Sequence, residues 1–123
     1  MRHYGTAILF ALVFSCAGAR AEQTVSELLR DYDSAKPEKR LLLEIMMSET
    51  ENGLNWASVY LKISRKESPL VCRPANLVLK GSQILDMLRR EVKEFPQSGE
   101  FPYGFAILVA DMKAFPCAEK ISN

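Results

Sequence analysis

From residue 24 onward the apolar positions recur three or four apart, and no stretch alternates with the period of two that marks a strand. Val25, Leu28, Leu29 and Tyr32 predict a short first helix. Thr24 opens it, with Glu27 three residues later, the pairing of a capping box. Asp31 to Lys36 reads as a turn, and Pro37 suits the first turn of a second helix, where its missing N–H costs nothing. That second helix is long. Leu41, Leu42, Ile45 and Met46 form one apolar group, and Trp56, Val59, Tyr60 and Ile63 form another, which predicts Trp56 inside the protein against the third and fourth helices. The polar run Ser48–Asn52 separates the groups. Gly53 at the junction marks a kink, a close helix crossing or a break, since glycine in a helix interior costs about 1 kcal/mol relative to alanine. Ser68-Pro69 ends the helix near Lys66.

A loop over Pro69–Pro74 follows, and the third helix starts at Asn76 or Ser82. Its inward face is Ile84, Leu85, Leu88, Val92 and Phe95, with Asp86, Arg89, Arg90, Lys93 and Glu94 on a solvated side. Phe95–Pro102 is a second loop. Tyr103-Gly104 leads into a last helix with Ile107, Leu108, Met112 and Phe115 inward, and Pro116 stops it. Val71–Leu79 has some strand character, which Pro74 breaks. The expected fold is all-α, a small bundle of about four helices.

The first 21 residues follow a different pattern. Arg2 and His3 open the chain, Thr6–Val13 is almost wholly apolar, and Ala17-Gly18-Ala19 or Ala19-Arg20-Ala21 supplies a small-x-small end. This is the composition of a secretory signal peptide, too short in its apolar run for the ~20 residues that span a bilayer. A lipoprotein signal acylated at Cys16 is the minor alternative, weakened by the bulk of Phe14. Cleavage after Ala21 leaves a single domain, residues 22–123, with no membrane anchor and a periplasmic address. It removes Arg2 and Arg20 from the 16 basic residues, leaving 14 against 15 acidic ones. A domain so close to neutral carries no electrostatic footprint for nucleic acid.

Cleavage also leaves only two cysteines, Cys72 and Cys117, each with a proline nearby. Two cysteines in an exported chain are most simply one disulfide. The alternatives, a metal site or a thiol nucleophile, call for further ligands or a base, and the one histidine, His3, leaves with the leader. A bridge closing 45 residues would stabilise the fold by about 4 kcal/mol in the chain-entropy model. Glu44, Glu49 and Glu51 do not converge: Glu44 and Glu51 are seven apart and Glu49 lies off their face. The reading is therefore of a protein that is not an enzyme and holds no cofactor or metal.

The order of these segments resembles a known family. A helix with Gly53 and Trp56 precedes Val71-Cys72-Arg73-Pro74, an amphipathic helix ends in Phe95-Pro96, and the last helix ends in Phe115-Pro116-Cys117. This is similar to the Rap/Tai-type immunity proteins of Gram-negative bacteria, with their signal peptide, C-x-P segment, helix ending in F-P and terminal F-P-C. The likeness covers residues 50–117 and departs at Val71, where the family often has an aromatic residue. It implies a helical periplasmic protein with one disulfide that binds a type VI secreted peptidoglycan amidase and blocks its active site. The alternative is a small acid-stress chaperone of the HdeA type or another non-enzymatic envelope protein. A second copy of the chain is a further candidate partner.

An inhibitor needs a loop that enters or covers a cleft. Two qualify: Ser64–Asn76, tied down by Cys72, and Gln97–Tyr103. The second places Glu100, Phe101 and Tyr103 between Gly99 and Gly104 and between Pro96 and Pro102. One acid and two aromatics on a proline-stiffened loop offer apolar anchors with a charge to set register. These three are the candidate partner-binding residues.

Overall fold

The structure, a computed structural model, describes residues 22–118. The leader over residues 1–21, and with it the Cys16 alternative, lies outside the described residues. Among the described residues the chain forms four α-helices: α1 (Val25–Ser34), α2 (Pro37–Tyr60), α3 (Gly81–Glu94) and α4 (Tyr103–Ala114). A single π turn, Leu61–Arg65, continues α2, and a 3₁₀ turn, Pro96–Glu100, leads towards α4. The all-α bundle expected from the spacing is the fold, and no described helix is long and apolar enough to cross a membrane.

Local chemistry sets the ends of these helices. Thr24 Oγ1 accepts from the Glu27 N–H at 3.3 Å, and the Glu27 carboxylate accepts from the Thr24 N–H at 3.0 Å, so the capping box at α1 is complete. Arg40 closes the other end of α1. Its guanidinium donates to the carbonyls of Tyr32 (3.1 Å) and Asp33 (2.9 Å), satisfying acceptors that the last turn leaves free. Pro37 starts α2 as expected. The π turn ends at Lys66, whose left-handed φ of 54° turns the chain out of the helix before Pro69. Gly53 does not break α2, which runs through it.

α3 is the central element and packs on α1, α2, α4 and the 3₁₀ turn. Ile84, Leu85 and Leu88 from α3 meet Val25 and Leu28 of α1, Met47 of α2 and Ala106 and Ile107 of α4, with Leu79 closing one end. The start of α3 lies so close to α2 that a Cβ on Gly81 would land on the backbone of Glu44, so only glycine fits there.

Three expectations about the core fail, the first being Phe95 after α3, which is 43% exposed rather than inward. Trp56 is 70% exposed, and Leu41, Leu42, Ile45, Tyr60 and Ile63 stand out with it. The side of α2 turned inward is instead Met47, Glu51 and Ser58. At 100° per residue this line is nearly opposite the apolar stripe. It is buried because its polar groups have partners in the rest of the chain. On α4 the inward residues are Ala106, Ile107, Ala110 and Asp111, while Met112 is 45% exposed. Ala106 and Ala110 flank Ile107 on this inward side, and Phe105 and Met112 lie at the rim.

Cys72 and Cys117 are joined, with an S–S distance of 2.04 Å and Cα atoms 4.8 Å apart. The bridge ties the segment before α3 to the segment after α4. Replacing both cysteines by serine should cost about 4 kcal/mol. Thermal unfolding of the oxidised wild type against the Cys72→Ser, Cys117→Ser variant measures this, and equal melting temperatures would contradict it.

Candidate partner-binding site

Residues 66–80 connect the π turn to α3 without regular structure, yet they are held at several points. The Val71 N–H donates to Ser58 Oγ at 3.2 Å, and the Cys72 N–H donates to the Phe115 carbonyl at 3.0 Å. The disulfide fixes Cys72 itself, and Leu79 is buried in the core. Between Arg73 and Leu79 the chain forms an exposed arch, residues 74–78, that walls a cleft against α2. A turn with the Leu77 N–H on the Pro74 carbonyl (3.0 Å) shapes the arch and presents Leu77 and Val78 to solvent, Val78 with 76% of its surface open. An apolar tip on a fixed base is preorganised for contact, because little chain entropy is lost on binding.

Beneath the base of the arch lies a buried charge cluster. The Arg73 guanidinium donates to Asp111 Oδ2 at 2.8 Å and pairs with the Glu51 carboxylate, and the side chains of all three are almost fully buried. It also stacks over the Phe115 ring, 5.2 Å from the centroid. One residue therefore links the arch to α2, to α4 and to the F-P-C terminus. One positive charge faces two carboxylates, so the ionised cluster carries an excess negative charge in a site poor in water. Burial, the larger effect, outweighs the opposing attraction of Arg73 and acts with the repulsion of Glu51 to push the Asp111 carboxyl up to about 6.

Clefts open on both sides of this base. One of 430 Å³ lies between α2 and the arch, lined by Asn55, Val59, Lys62, Val71, Arg73 and Leu77 among others. Another, of 620 Å³, runs along the disulfide past Lys62, Lys66 and Ala118. Among the described residues no group of three or more His, Cys, Asp or Glu could hold a metal ion.

The second loop is built differently. The Val25 N–H donates to the Phe101 carbonyl at 3.0 Å, and the Tyr103 N–H donates to the Gln23 carbonyl at 3.1 Å, so this stretch pairs with the chain entering α1. Ser98 and Gly99 are buried, and the half-buried Tyr103 packs on the core. Glu100 is exposed. Phe101, 36% exposed, meets the ring of Phe105 edge-on at 5.5 Å. The three candidate residues thus stand in one loop but serve unlike roles: Tyr103 and the Phe101 backbone brace α1, while Glu100 and one face of Phe101 remain open. They lie apart from the disulfide base.

Residue spacing gives no sign of the Glu51–Arg73–Asp111 cluster. Glu51 belongs to a polar run and Asp111 to an apolar helix, and the only local hint is an arginine between a cysteine and a proline. Comparison with protein-family models, with curated proteins and with solved structures returns no match.

Two outcomes follow. Asp111 binds its proton more tightly in the folded chain than in the unfolded one, where its pKa is near 3.8. Its contribution to stability is therefore complete below about pH 4 and is lost as pH rises through about 6. Denaturant titrations between these values should show this slope, and Asp111→Asn should flatten it. Separately, Arg73→Ala leaves two buried carboxylates without their cation and should cost about 3–5 kcal/mol, whereas Arg65→Ala, in an exposed pair with Glu67, should cost under about 1 kcal/mol. Equal losses in the two variants would contradict the cluster.

Proposed function

We propose that this chain is a periplasmic immunity-type protein that binds and inhibits a type VI secreted peptidoglycan amidase, with the arch Pro74–Val78 as the segment that meets the enzyme. The observation that carries this reading is the arch itself. It displays apolar side chains at its tip, and a disulfide, a buried arginine and backbone hydrogen bonds fix its base. A cleft-directed inhibitor needs this combination: a protrusion that fills a groove without first having to be ordered. The residues that carry the resemblance to the Rap/Tai-type family, Cys72-Arg73-Pro74 and Phe115-Pro116-Cys117, meet at that base. The flanking clefts could receive side chains of the enzyme around its active-site groove. Glu100 and Phe101 form a second contact candidate, with Phe105 beside them.

The test measures binding and inhibition against secreted peptidoglycan amidases, beginning with any encoded beside this chain. The wild type should bind and stop peptidoglycan cleavage. Val78→Asp should weaken binding at least about tenfold with an unchanged melting temperature, because the side chain is exposed and its loss disturbs no internal contact. Phe101→Ala, Tyr103→Ala should lower the melting temperature through the contacts of Tyr103 with the core. Full inhibition by Val78→Asp would remove the arch from the interface, and no binding by the wild type would remove the reading.

A further inference from the structure

We propose that the arch and the two clefts beside it form a positively charged docking surface, and that its occupant is acidic: a groove of the partner protein with carboxylates along its rim, into which the apolar tip of the arch enters. The charge of the chain is unevenly placed. Residues 55–80 hold five basic residues and one acid, while the rest of residues 22–123 holds nine basic residues against fourteen acids. A domain that is close to neutral as a whole therefore concentrates positive charge in the stretch that ends α2 and forms the arch.

Of those five basic residues Arg73 is engaged in the buried cluster, and Lys62, Arg65, Lys66 and Lys80 are exposed. Arg65 lies 3.4 Å from Glu67, the one acid of the stretch. Among the described residues Lys62 and Lys66 have no carboxylate partner. They stand where a partner must pass. Lys62 lines both clefts, as do Pro69 and Cys72, and Lys66 lines the second. No acid lines the first cleft, where Asn55 adds an amide. The second has only Glu67, already held by Arg65. A carboxylate brought to either cleft meets an ammonium group, and the two ammonium groups outnumber the single excess negative charge of the cluster beneath.

The exposed tip of Leu77 and Val78 divides the work with the lysines. Apolar contact at the tip sets how long a complex lasts, and opposite charge on the facing patches sets how fast it forms, by tenfold to about a thousandfold in dilute salt. An anionic lipid surface also attracts lysines beside an apolar tip. It is the poorer occupant, because concave clefts on both sides of the arch suit side chains rather than a plane of headgroups, and the acidic remainder of the domain opposes approach to a sheet of negative charge. This inference rests on the amidase reading for the identity of the partner, and on the residues above for its chemistry.

Association kinetics with an amidase that the wild type inhibits test the surface. The paired variant Lys62→Glu, Lys66→Glu should slow association at least about tenfold in dilute buffer, with dissociation changed by less than about threefold and helix content unchanged. Lys36→Glu, Lys39→Glu reverses the same charge about 35 Å away along α2, several screening lengths off, and should leave association as it was. Equal losses from the two reversals, or no loss from the first, overturn the proposal. A glutamate hexapeptide is a probe independent of the amidase. Followed by NMR, it should shift the amides of Asn55, Lys62, Val71 and Leu77 in the wild type and not in Lys62→Glu, Lys66→Glu. Such shifts in a wild type that inhibits no amidase remove the amidase reading and keep the surface. No shifts, or shifts as large at Lys36 and Lys39, overturn the surface even where the amidase is inhibited. Binding to phosphatidylglycerol vesicles that is lost in Lys62→Glu, Lys66→Glu overturns it equally.

Discussion

Arg73 brings a positive charge into a region where α2 and α4 each bury a carboxylate, and most of the architecture follows from satisfying that arrangement. Glu51 and Asp111 both face inward, and Arg73 meets them there. Removing an ion from water is costly, so a guanidinium between two carboxylates is tolerated only when the surrounding elements hold still. The disulfide and the Ser58 hydrogen bonds supply that fixity on the arch side, and the stacked Phe115 ring supplies it at the end of α4. Once Glu51 points inward, the rotation of α2 about its axis is set. Met47 and Ser58 follow Glu51 into the interior, and the opposite side, with Trp56 and Tyr60, is left facing out.

This constraint explains which parts of the structure were legible in the residues. The four helices, the capping box at Thr24, Pro37 at the start of α2 and the end near Lys66 are local features, written in residues a few positions apart. The Cys72–Cys117 pairing was legible because two cysteines in a chain of this kind leave little choice. The orientation of α2 was not legible. Apolar residues at helical spacing ordinarily mark the buried side, but α2 carries two such lines: Leu43, Met47 and Leu54 pack on the core beside the Glu51–Arg73 pair, while Leu41, Ile45 and Trp56 face out. Asp111 was equally hidden, since an acid inside an apolar helix gives no local sign that an arginine 38 residues earlier will reach it. Of the candidate site, the loop carrying Cys72 was legible as an anchored segment, but its exposed tip lies at Leu77 and Val78, just past the boundary that spacing drew. In the other loop, sequence gave Glu100, Phe101 and Tyr103 equal weight. The pairing of that loop with the entry to α1 makes them unequal.

The same cluster has two consequences for the surface. Its arch side is stiff and local, suited to entering a groove. Its α2 side leaves the apolar stripe of Leu41, Ile45, Trp56 and Tyr60 facing out.

The central claim is the orientation of α2, and its one tryptophan reports on it directly. Acrylamide quenching of Trp56 fluorescence measures which side of the helix faces water. The account predicts a red-shifted emission quenched nearly as freely as in the unfolded chain. A blue-shifted emission, protected from quencher, would place Trp56 inside and Glu51 outside, and would contradict it.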